Sequence, residues 1–415
     1  MGRFHPFIVL RTPDHIAWVL IQQIMCKGLF GIKFLFAARI LGPERFGLVG
    51  VAIAALAIVE SLADTGMMQA IIQRPSKLAP SEAGAVWTLQ LLRGAIIATA
   101  LAVSAGFIAR LFGIPDSATL IMVAAILPLI RNAVHPGFFL LQRERNFRAV
   151  SLSESLSSGV DFFAALTLLE SGCGPVSVLL GSCSGDAIRL ALSWSKFRIP
   201  LQANLKWKKI SDLGRYGLWI WASSILAVLL NQFDKFVVAR WLGPASFGVY
   251  QTSSRLAQLG ISDIALAAGQ YLFPTMARMH NERQADGKKY FYKALLKMSI
   301  ISGFLSAALI CFAPFLVGKI LGEKWISAIP VIRIQCVSMW FGAMIAVCVA
   351  FLRASGRPHV VTYSSIIQLF VLIMPSYWVI NRFGVIGMAW LVFSALGVSL
   401  LYMVKQALSG VEQCA

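Results

Sequence analysis

Apolar residues run along this chain in long stretches, which short segments rich in glycine, proline and charge interrupt. Runs of membrane-spanning length fall at about residues 16–41, 46–72, 84–109, 118–141, 150–169, 175–195, 214–241, 247–276, 293–317, 326–352, 360–380 and 384–404. A bilayer hydrocarbon core about 30 Å thick needs about 20 apolar residues for one helical crossing. The pattern therefore predicts an all-α integral membrane protein with about twelve transmembrane helices.

One short turn occurs twice in the chain. The sequence ARILGPERFG at 38–47 and the sequence ARWLGPASFG at 239–248 match at seven of ten positions, with an offset of 201 residues. In the first copy, Gly42 ends a helix, Pro43 blocks its continuation, and Gly47 lets the next span begin close by.

The repeat divides the chain into two halves. Each copy follows the first run of a set of six, so we predict two pseudo-symmetric six-helix lobes at 1–205 and 206–415. Because six is an even number, both lobes cross the membrane in the same sense. A parallel repeat of this kind places a cleft between the halves, which is typical of a transporter.

Composition and charge agree with a membrane protein. Hydrophobic residues make up 58% of the chain, charged residues 13%, and the mean hydropathy is +0.74. The net charge is +19, and with the N-terminus inside, the predicted inner segments carry 22 basic residues against 7 in the outer segments. Because cytoplasmic loops retain an excess of Lys and Arg, we expect both termini in the cytoplasm. Basic charge in short loops, without interleaved aromatic platforms, favours anionic lipid over nucleic acid as the partner.

Three stretches of the chain resemble a known family. They read ARILGPERFGLVGVAIAALAIVESLADTGMMQAIIQR, LQRERNFRAVSLSES and NQFDKFVVARWLGPASFGVYQTSSRLAQLGISDIALAAGQYLFPTMARM. They are similar to the polysaccharide transporters or O-antigen flippases (Wzx-type), whose superfamily also holds the multidrug and toxin extrusion (MATE) transporters and the lipid II flippase. The resemblance implies a MATE-like fold, a V-shaped pair of six-helix bundles that open alternately inward and outward. It also implies the substrate, an oligosaccharide linked to a polyprenyl diphosphate of the undecaprenyl type, which crosses from the inner to the outer leaflet of a bacterial inner membrane.

Eight basic and six acidic residues lie inside the predicted spans. A charge at this depth costs at least about 2.5–3.5 kcal/mol, so it must face a cleft, a partner or water. A cleft with surplus positive charge suits a diphosphate headgroup, because cations must replace the hydration of the phosphates. The candidates for substrate binding in the central cleft are Lys33, Arg131, Lys235, Arg255, Arg333 and Asp234.

The offset of 201 also relates Lys33 to Asp234, which predicts that they lie at equal depth on opposite walls. We expect Lys33 to contact phosphate and Asp234 to be its counter-ion in the empty state. A static ion pair is the alternative.

Other polar positions have several interpretations. Glu60 and Asp64, which share a helix face, are candidates with Asp161 for coupling to a proton or Na⁺; the first two could instead meet basic residues near the inner surface. Arg39 and Arg240 either reach outer headgroups or form a second phosphate site at the outer end of the cleft.

Local spacing predicts three further features. Asp186 and Arg189 are expected to neutralise each other, because they lie three residues apart on a helix. Pro128 and Pro136 should kink the fourth span around Arg131 and His135, which lie four residues apart and so on one face. The hydroxyl-rich stretch 151–161 could bind sugars or mediate close helix packing.

Function follows from the two lobes, the cationic interior and the resemblance: a flippase for surface polysaccharide such as lipopolysaccharide O-antigen. The alternative is a cation-coupled drug or small-molecule antiporter, which should prefer an acidic cleft. Short outer loops and dispersed histidines argue against an enzyme, and we predict no catalytic residue, metal or cofactor. A polysaccharide polymerase is a candidate partner. We expect Lys33→Ala or Arg131→Ala to abolish surface polysaccharide at normal membrane levels.

Overall fold

The computed structural model describes residues 13–63, 80–138, 147–196, 211–258, 261–282 and 284–409. Within these ranges the regular structure is helical. The α-helices are α1 Pro13–Leu62, α2 Pro80–Leu111, α3 Ala118–Ala124, α4 Ile126–Asn132, α5 Phe147–Glu170, α6 Val176–Lys196, α7 Ser211–Gln258, α8 Ile261–Glu282, α9 Gln284–Phe315, α10 Ala328–Ala354, α11 Pro358–Ile373 and α12 Ser376–Ser409. A π-helical turn at Leu316–Leu321 continues α9, and short 3₁₀ turns form at Pro115–Ser117 and Glu323–Trp325.

Three of the longest helices are bent at a glycine. The backbone leaves helical geometry at Gly42 (φ 71°, ψ 173°) in α1, at Gly243 (φ 78°, ψ −176°) in α7 and at Gly384 (φ 58°, ψ −142°) in α12. Positive φ values of this kind are open to glycine at little cost, and Pro43 and Pro244 follow two of them. The predicted helix ends at the repeated turn are confirmed.

The lengths of the helices indicate how many times the chain crosses the membrane. Six helices among the described residues are long and apolar enough to span a bilayer; one of them, Leu20–Leu62, has 43 residues. A helix of that length would extend about 65 Å, twice the hydrocarbon core, so its bend at Gly42 separates two crossings. With the bends counted, helix lies on each of the twelve predicted runs, and the all-α membrane architecture is confirmed.

The fourth predicted span is broken into short pieces, as its prolines predict. α3 ends at Ala124, one residue turns, and α4 runs only from Ile126 to Asn132. Pro128 has no N–H to bond the carbonyl of Ala124, and its ring crowds that carbonyl, so a continuous helix is disfavoured here. Because α4 ends at Asn132, Arg131 and His135 do not share a helix face, and that prediction was wrong.

The described residues group into two compact units. Of the described residues, the first contains 13–40, 52–63, 80–109, 116–138, 147–196 and 211–225, and the second contains 41–51, 110–115, 226–258, 261–282 and 284–409. In the first unit α5 packs along α6, and α6 also contacts α3 and α4. In the second unit α10 is central and packs against α8, α9, α11 and α12. The lobes at 1–205 and 206–415 stay a prediction.

The two copies of the repeated turn contact each other inside the second unit. A Cβ added to Gly47 would meet the carbonyl oxygen of Pro244 and lie 2.8 Å from its carbonyl carbon. Reciprocally, a Cβ on Gly248 would meet the carbonyl oxygen of Pro43 and lie 2.9 Å from its carbonyl carbon. Both glycines are therefore required by a close, symmetric backbone contact, which gives the repeat a structural reason beyond the local turn.

Candidate functional site

Close packing of α5 and α6 builds the frame of a polar site in the first unit. A Cβ on Gly181 would lie 2.8 Å from the carbonyl oxygen of Asp161, and a Cβ on Gly185 would lie 2.7 Å from that of Ser157. The Ser157 hydroxyl donates to the Gly185 carbonyl oxygen at 2.7 Å. Small residues four apart let two membrane helices approach in this way. Ser157 therefore serves helix packing, one of the two roles considered for the hydroxyl-rich stretch.

Lys33 of α1 is paired with Asp161 of α5. Its Nζ lies 2.7 and 2.6 Å from the two carboxylate oxygens of Asp161 and donates to the Ser182 hydroxyl of α6 at 3.3 Å. Only 5% of Lys33 is exposed. A buried ammonium needs a carboxylate and further acceptors to offset its desolvation, and Lys33 has both.

Arg131 of α4 joins two further acidic residues. Its Nε lies 2.7 Å from Asp186 Oδ2 of α6, and its Nη1 lies 3.3 Å from Glu60 Oε1 of α1. The Arg93 guanidinium of α2 donates to the Glu60 carbonyl oxygen at 3.3 Å. The broken fourth span thus carries a cation that links α1 and α6.

A fourth ion pair corrects the expected partners of Asp186 and Arg189. Arg189 Nε of α6 lies 3.1 Å from Glu154 Oε1 of α5, whereas Asp186 contacts Arg131. The residues do not neutralise each other, because α5 and α4 offer each of them a partner. We call these contacts the first-unit network; it comprises Lys33, Arg131, Arg189, Glu60, Glu154, Asp161 and Asp186.

Asp234 of α7 in the second unit has a neutral partner. Its Oδ2 accepts a hydrogen bond of 2.7 Å from the hydroxyl of Tyr250, which is fully buried. The acidic partner of Lys33 is Asp161 rather than Asp234, so the predicted pairing of Lys33 with Asp234 was wrong. The offset of 201 relates positions in the two halves, but it does not show which side chains meet.

Three cations predicted to line the cleft lie in the second unit and form no ion pair with a described carboxylate: Lys235, Arg255 and Arg333. The Lys235 ammonium donates to the Asn231 carbonyl oxygen at 2.7 Å. Arg255 and Arg333 are exposed at the protein surface. Among the described residues, none of these cations forms an ion pair with a carboxylate.

The remaining predicted positions lie at or near the repeated turns, or outside the described residues. Arg39 is exposed, and Arg240 Nη1 lies 3.5 Å from the Arg110 carbonyl oxygen. A Cβ on Gly113 would lie 2.9 Å from the Arg240 carbonyl oxygen, so Gly113 permits this close contact. Asp64 is outside the described ranges.

Three features of the site escaped the sequence analysis. Glu154 stands in the hydroxyl-rich stretch at a spacing of seven from Asp161, which puts both on one face of α5. The glycines at 181 and 185 form a small-residue pattern that predicts a close helix pair. Tyr250 carries no such signal, because an isolated tyrosine in an apolar run does not reveal its partner.

The sequence of this chain is similar to those of known proteins. A family model described as "Polysaccharide biosynthesis protein" matches residues 36–330. The chain is similar to the succinoglycan biosynthesis transport protein ExoT of Rhizobium meliloti (strain 1021), with 22% identity over 92% of this chain and 80% of that protein.

Two solved structures match almost the whole chain. A multidrug resistance MATE family transporter in an inward-facing conformation has a TM-score of 0.75 at 16% identity and covers 97% of this chain and 100% of its own. The lipid II flippase MurJ in an inward closed conformation has a TM-score of 0.75 at 13% identity and covers 95% of this chain and 88% of its own. The MATE-like fold is confirmed, and at these identities the two likenesses concern the fold alone.

Proposed function

The chain belongs to the polysaccharide biosynthesis protein family, and from this premise we propose that it is a flippase. It moves an oligosaccharide linked to a polyprenyl diphosphate from the inner to the outer leaflet of a bacterial inner membrane, by alternating access, for surface polysaccharide export. The family match and the name of the succinoglycan relative support this function. The carrier lipid is of the undecaprenyl type, both termini are cytoplasmic, and a polysaccharide polymerase receives the product.

The observation that carries the proposal is the set of cations without acidic partners in the described second unit. A diphosphate can enter a region of low dielectric only where cations replace its hydration. Lys235, Arg255 and Arg333 have no described carboxylate at ion-pair distance, so their charges remain able to contact phosphate oxygens. We assign to these side chains the first contacts with the diphosphate headgroup.

The first-unit network supplies a second set of cations, which carboxylates hold in the observed state. If Lys33 transfers from Asp161 to a phosphate oxygen, the Asp161 carboxylate is left without its cation at a depth where bare charge is costly. Binding a proton or Na⁺ to Asp161 offsets that cost. The same exchange applies to Arg131 and Glu60, so substrate binding and ion uptake are coupled through shared cations.

Release on the outer side requires the repeated turns to separate. Gly47 packs against the Pro244 backbone and Gly248 against the Pro43 backbone, and we propose that this contact closes the outer end of the second unit. Such a contact has no buried charge to break, so it can part at modest cost. Arg39 and Arg240 flank these turns in sequence, and we propose that they contact the diphosphate during exit.

One observation favours a drug antiporter as the second candidate: among the described residues, the Asp234 carboxylate has no cation at ion-pair distance. The MATE transporter matches the chain with the same TM-score as the lipid II flippase, so the fold does not separate these functions. An antiporter for organic cations should expose uncompensated carboxylates. In the described first unit the four carboxylates of the network each contact a cation, which weighs against it.

A reconstituted transport assay tests the proposal. The purified protein is placed in liposomes with a fluorescent oligosaccharide on a polyprenyl diphosphate, and a membrane-impermeant glycosidase reports the glycan that reaches the outer leaflet. We expect faster exposure of the glycan than in protein-free liposomes, and no effect of an organic cation substrate. Exposure at the protein-free rate, together with proton-driven efflux of an organic cation, would support the antiporter instead.

A further inference from the structure

A groove of about 750 Å³ lies between α8 and α10 in the second unit. Residues spaced three or four apart on each helix line it, so one face of α8 and one face of α10 form its walls. They include Leu266, Gly269 and Phe273 of α8 and Gly342, Ala346 and Arg353 of α10.

Small residues keep the groove open. A Cβ added to Gly269 or to Gly342 would find no atom within 4 Å, so open space lies in front of both glycines. Most other lining residues are alanine, leucine, valine, methionine or phenylalanine. The walls therefore accept hydrocarbon and offer few partners to a polar ligand.

The groove is long and its charge is at one end. From Met339 to Arg353 the lining follows α10 for about 21 Å at the helical rise per residue, which exceeds the thickness of one leaflet's hydrocarbon. Arg353 is exposed, and its guanidinium forms no hydrogen bond or ion pair with the described residues. Its neighbour Arg357 is occupied, since its guanidinium donates to the Gln406 carbonyl oxygen at 2.8 Å.

We propose that this groove holds the isoprenoid chain of the lipid-linked substrate while Arg353 contacts its diphosphate. The inference rests on the proposed function and names the place where the tail of that substrate binds. An apolar channel with one free guanidinium at its end complements a ligand with a single long hydrocarbon chain and an anionic head. The excess of basic residues assigns the Arg353 end to the cytoplasmic side, where a lipid-linked precursor begins its path.

Binding of a glycan-free polyprenyl diphosphate to the full-length protein in nanodiscs tests the inference. The double variant Gly269→Leu/Gly342→Leu fills the groove, and both changes favour the helix because glycine is a poor helix former. We expect the double variant to bind the probe about tenfold more weakly, the effect of losing burial of about two methylene groups. Gly106→Leu, at another helical glycine with no atom within 4 Å of its Cβ position, is the matched control and should bind as the wild type does.

The headgroup contact has its own variant. Arg353→Gln should weaken binding of the polyprenyl diphosphate about tenfold, the size of one lost charge-assisted hydrogen bond, and leave binding of the uncharged polyprenol unchanged. Equal binding of the diphosphate by Arg353→Gln and by the wild type would remove Arg353 from the site.

Other outcomes separate this inference from the proposed function. Displacement of the probe by phosphatidylglycerol at equal mole fraction would identify an ordinary phospholipid site and overturn the inference, as would unchanged binding by the double variant. If the double variant no longer binds the probe but still exposes glycan at the normal rate, the inference about the groove is wrong and the flippase function stands. Groove-dependent binding in a wild-type protein that exposes no glycan would instead contradict the flippase function.

Discussion

In the first unit Lys33, Arg131 and Arg189 each lie within 3.3 Å of a carboxylate, whereas in the described second unit Lys235, Arg255 and Arg333 form no ion pair. The difference lies in the acids: α5 and α6 carry three that face the first set, while Asp234 in α7 accepts its hydrogen bond from Tyr250. The three cations of the first unit are paired with carboxylates, whereas the three of the second unit have no described carboxylate at ion-pair distance.

Because of this difference, removing a cation should change the stability of the two units by different amounts. Removing a cation from the first-unit network leaves a carboxylate uncompensated, which destabilises the fold. Removing Lys235, Arg255 or Arg333 from the second unit breaks no described ion pair, so ligand binding should suffer more than stability. Each prediction below changes one side of this comparison.

The largest effect is expected at Lys33. Lys33→Ala leaves Asp161 without its cation, and breaking a buried pair by removing one partner costs about 3 kcal/mol. Thermal unfolding in detergent should show this loss, and membrane levels should fall, contrary to the normal levels expected from the sequence. The double variant Lys33→Ala/Asp161→Ala should recover most of the stability. A double variant as unstable as the single one would show that the ion pair does not explain the loss.

Overpacking at the α5–α6 contact should come next. Gly181→Ala brings a Cβ to within 2.8 Å of the Asp161 carbonyl oxygen, and forcing such helices apart costs about 2 kcal/mol. Gly159→Ala is the matched control on α5, because a Cβ there finds no atom within 4 Å. Unfolding temperatures of the two variants give the comparison. Equal temperatures would mean that close approach of the two helices is not needed to form the network.

Some of these elements could be predicted from the sequence and others could not. The crossings, the bends at Gly42 and Gly243 and the break near Pro128 were predictable, because helix length, glycine and proline act locally. The partner of Lys33 was not predictable from the repeat, since it depends on which face of α5 meets α1. The glycines at 181 and 185 would have indicated that face, because small residues four apart mark where two membrane helices meet.

A smaller loss is expected at Arg131. Its side chain is 38% exposed, so water compensates part of the change when Arg131→Gln breaks the contacts with Asp186 and Glu60. We expect a loss of about 1 kcal/mol in stability, near the upper value for exposed pairs. Chemical denaturation of Arg131→Gln and of Arg131→Gln/Asp186→Asn measures the contribution of the Arg131–Asp186 pair to the free energy of unfolding. The pair would contribute nothing if both variants unfolded at the wild-type midpoint.

The smallest effect on stability is expected in the second unit. Lys235→Gln removes an ammonium that donates a hydrogen bond to the Asn231 carbonyl oxygen and forms no ion pair with a described carboxylate, so stability should change by less than about 0.5 kcal/mol. Glycan exposure in the liposome assay should nevertheless slow about tenfold, because one charge-assisted hydrogen bond to the headgroup is lost. A large fall in unfolding temperature with normal transport would reverse the comparison of the two units.

The most direct measurement is the affinity of the purified protein for the lipid-linked oligosaccharide, taken in parallel for two matched variants. Lys235→Gln/Arg333→Gln changes the second unit, and Lys33→Ala/Asp161→Ala changes the first without leaving an unpaired charge. The account predicts that affinity falls about a hundredfold in the second-unit variant, the effect of two lost charge-assisted contacts, and by about tenfold or less in the first-unit variant. Wild-type affinity in the second-unit variant would contradict the claim that its unpaired cations receive the diphosphate.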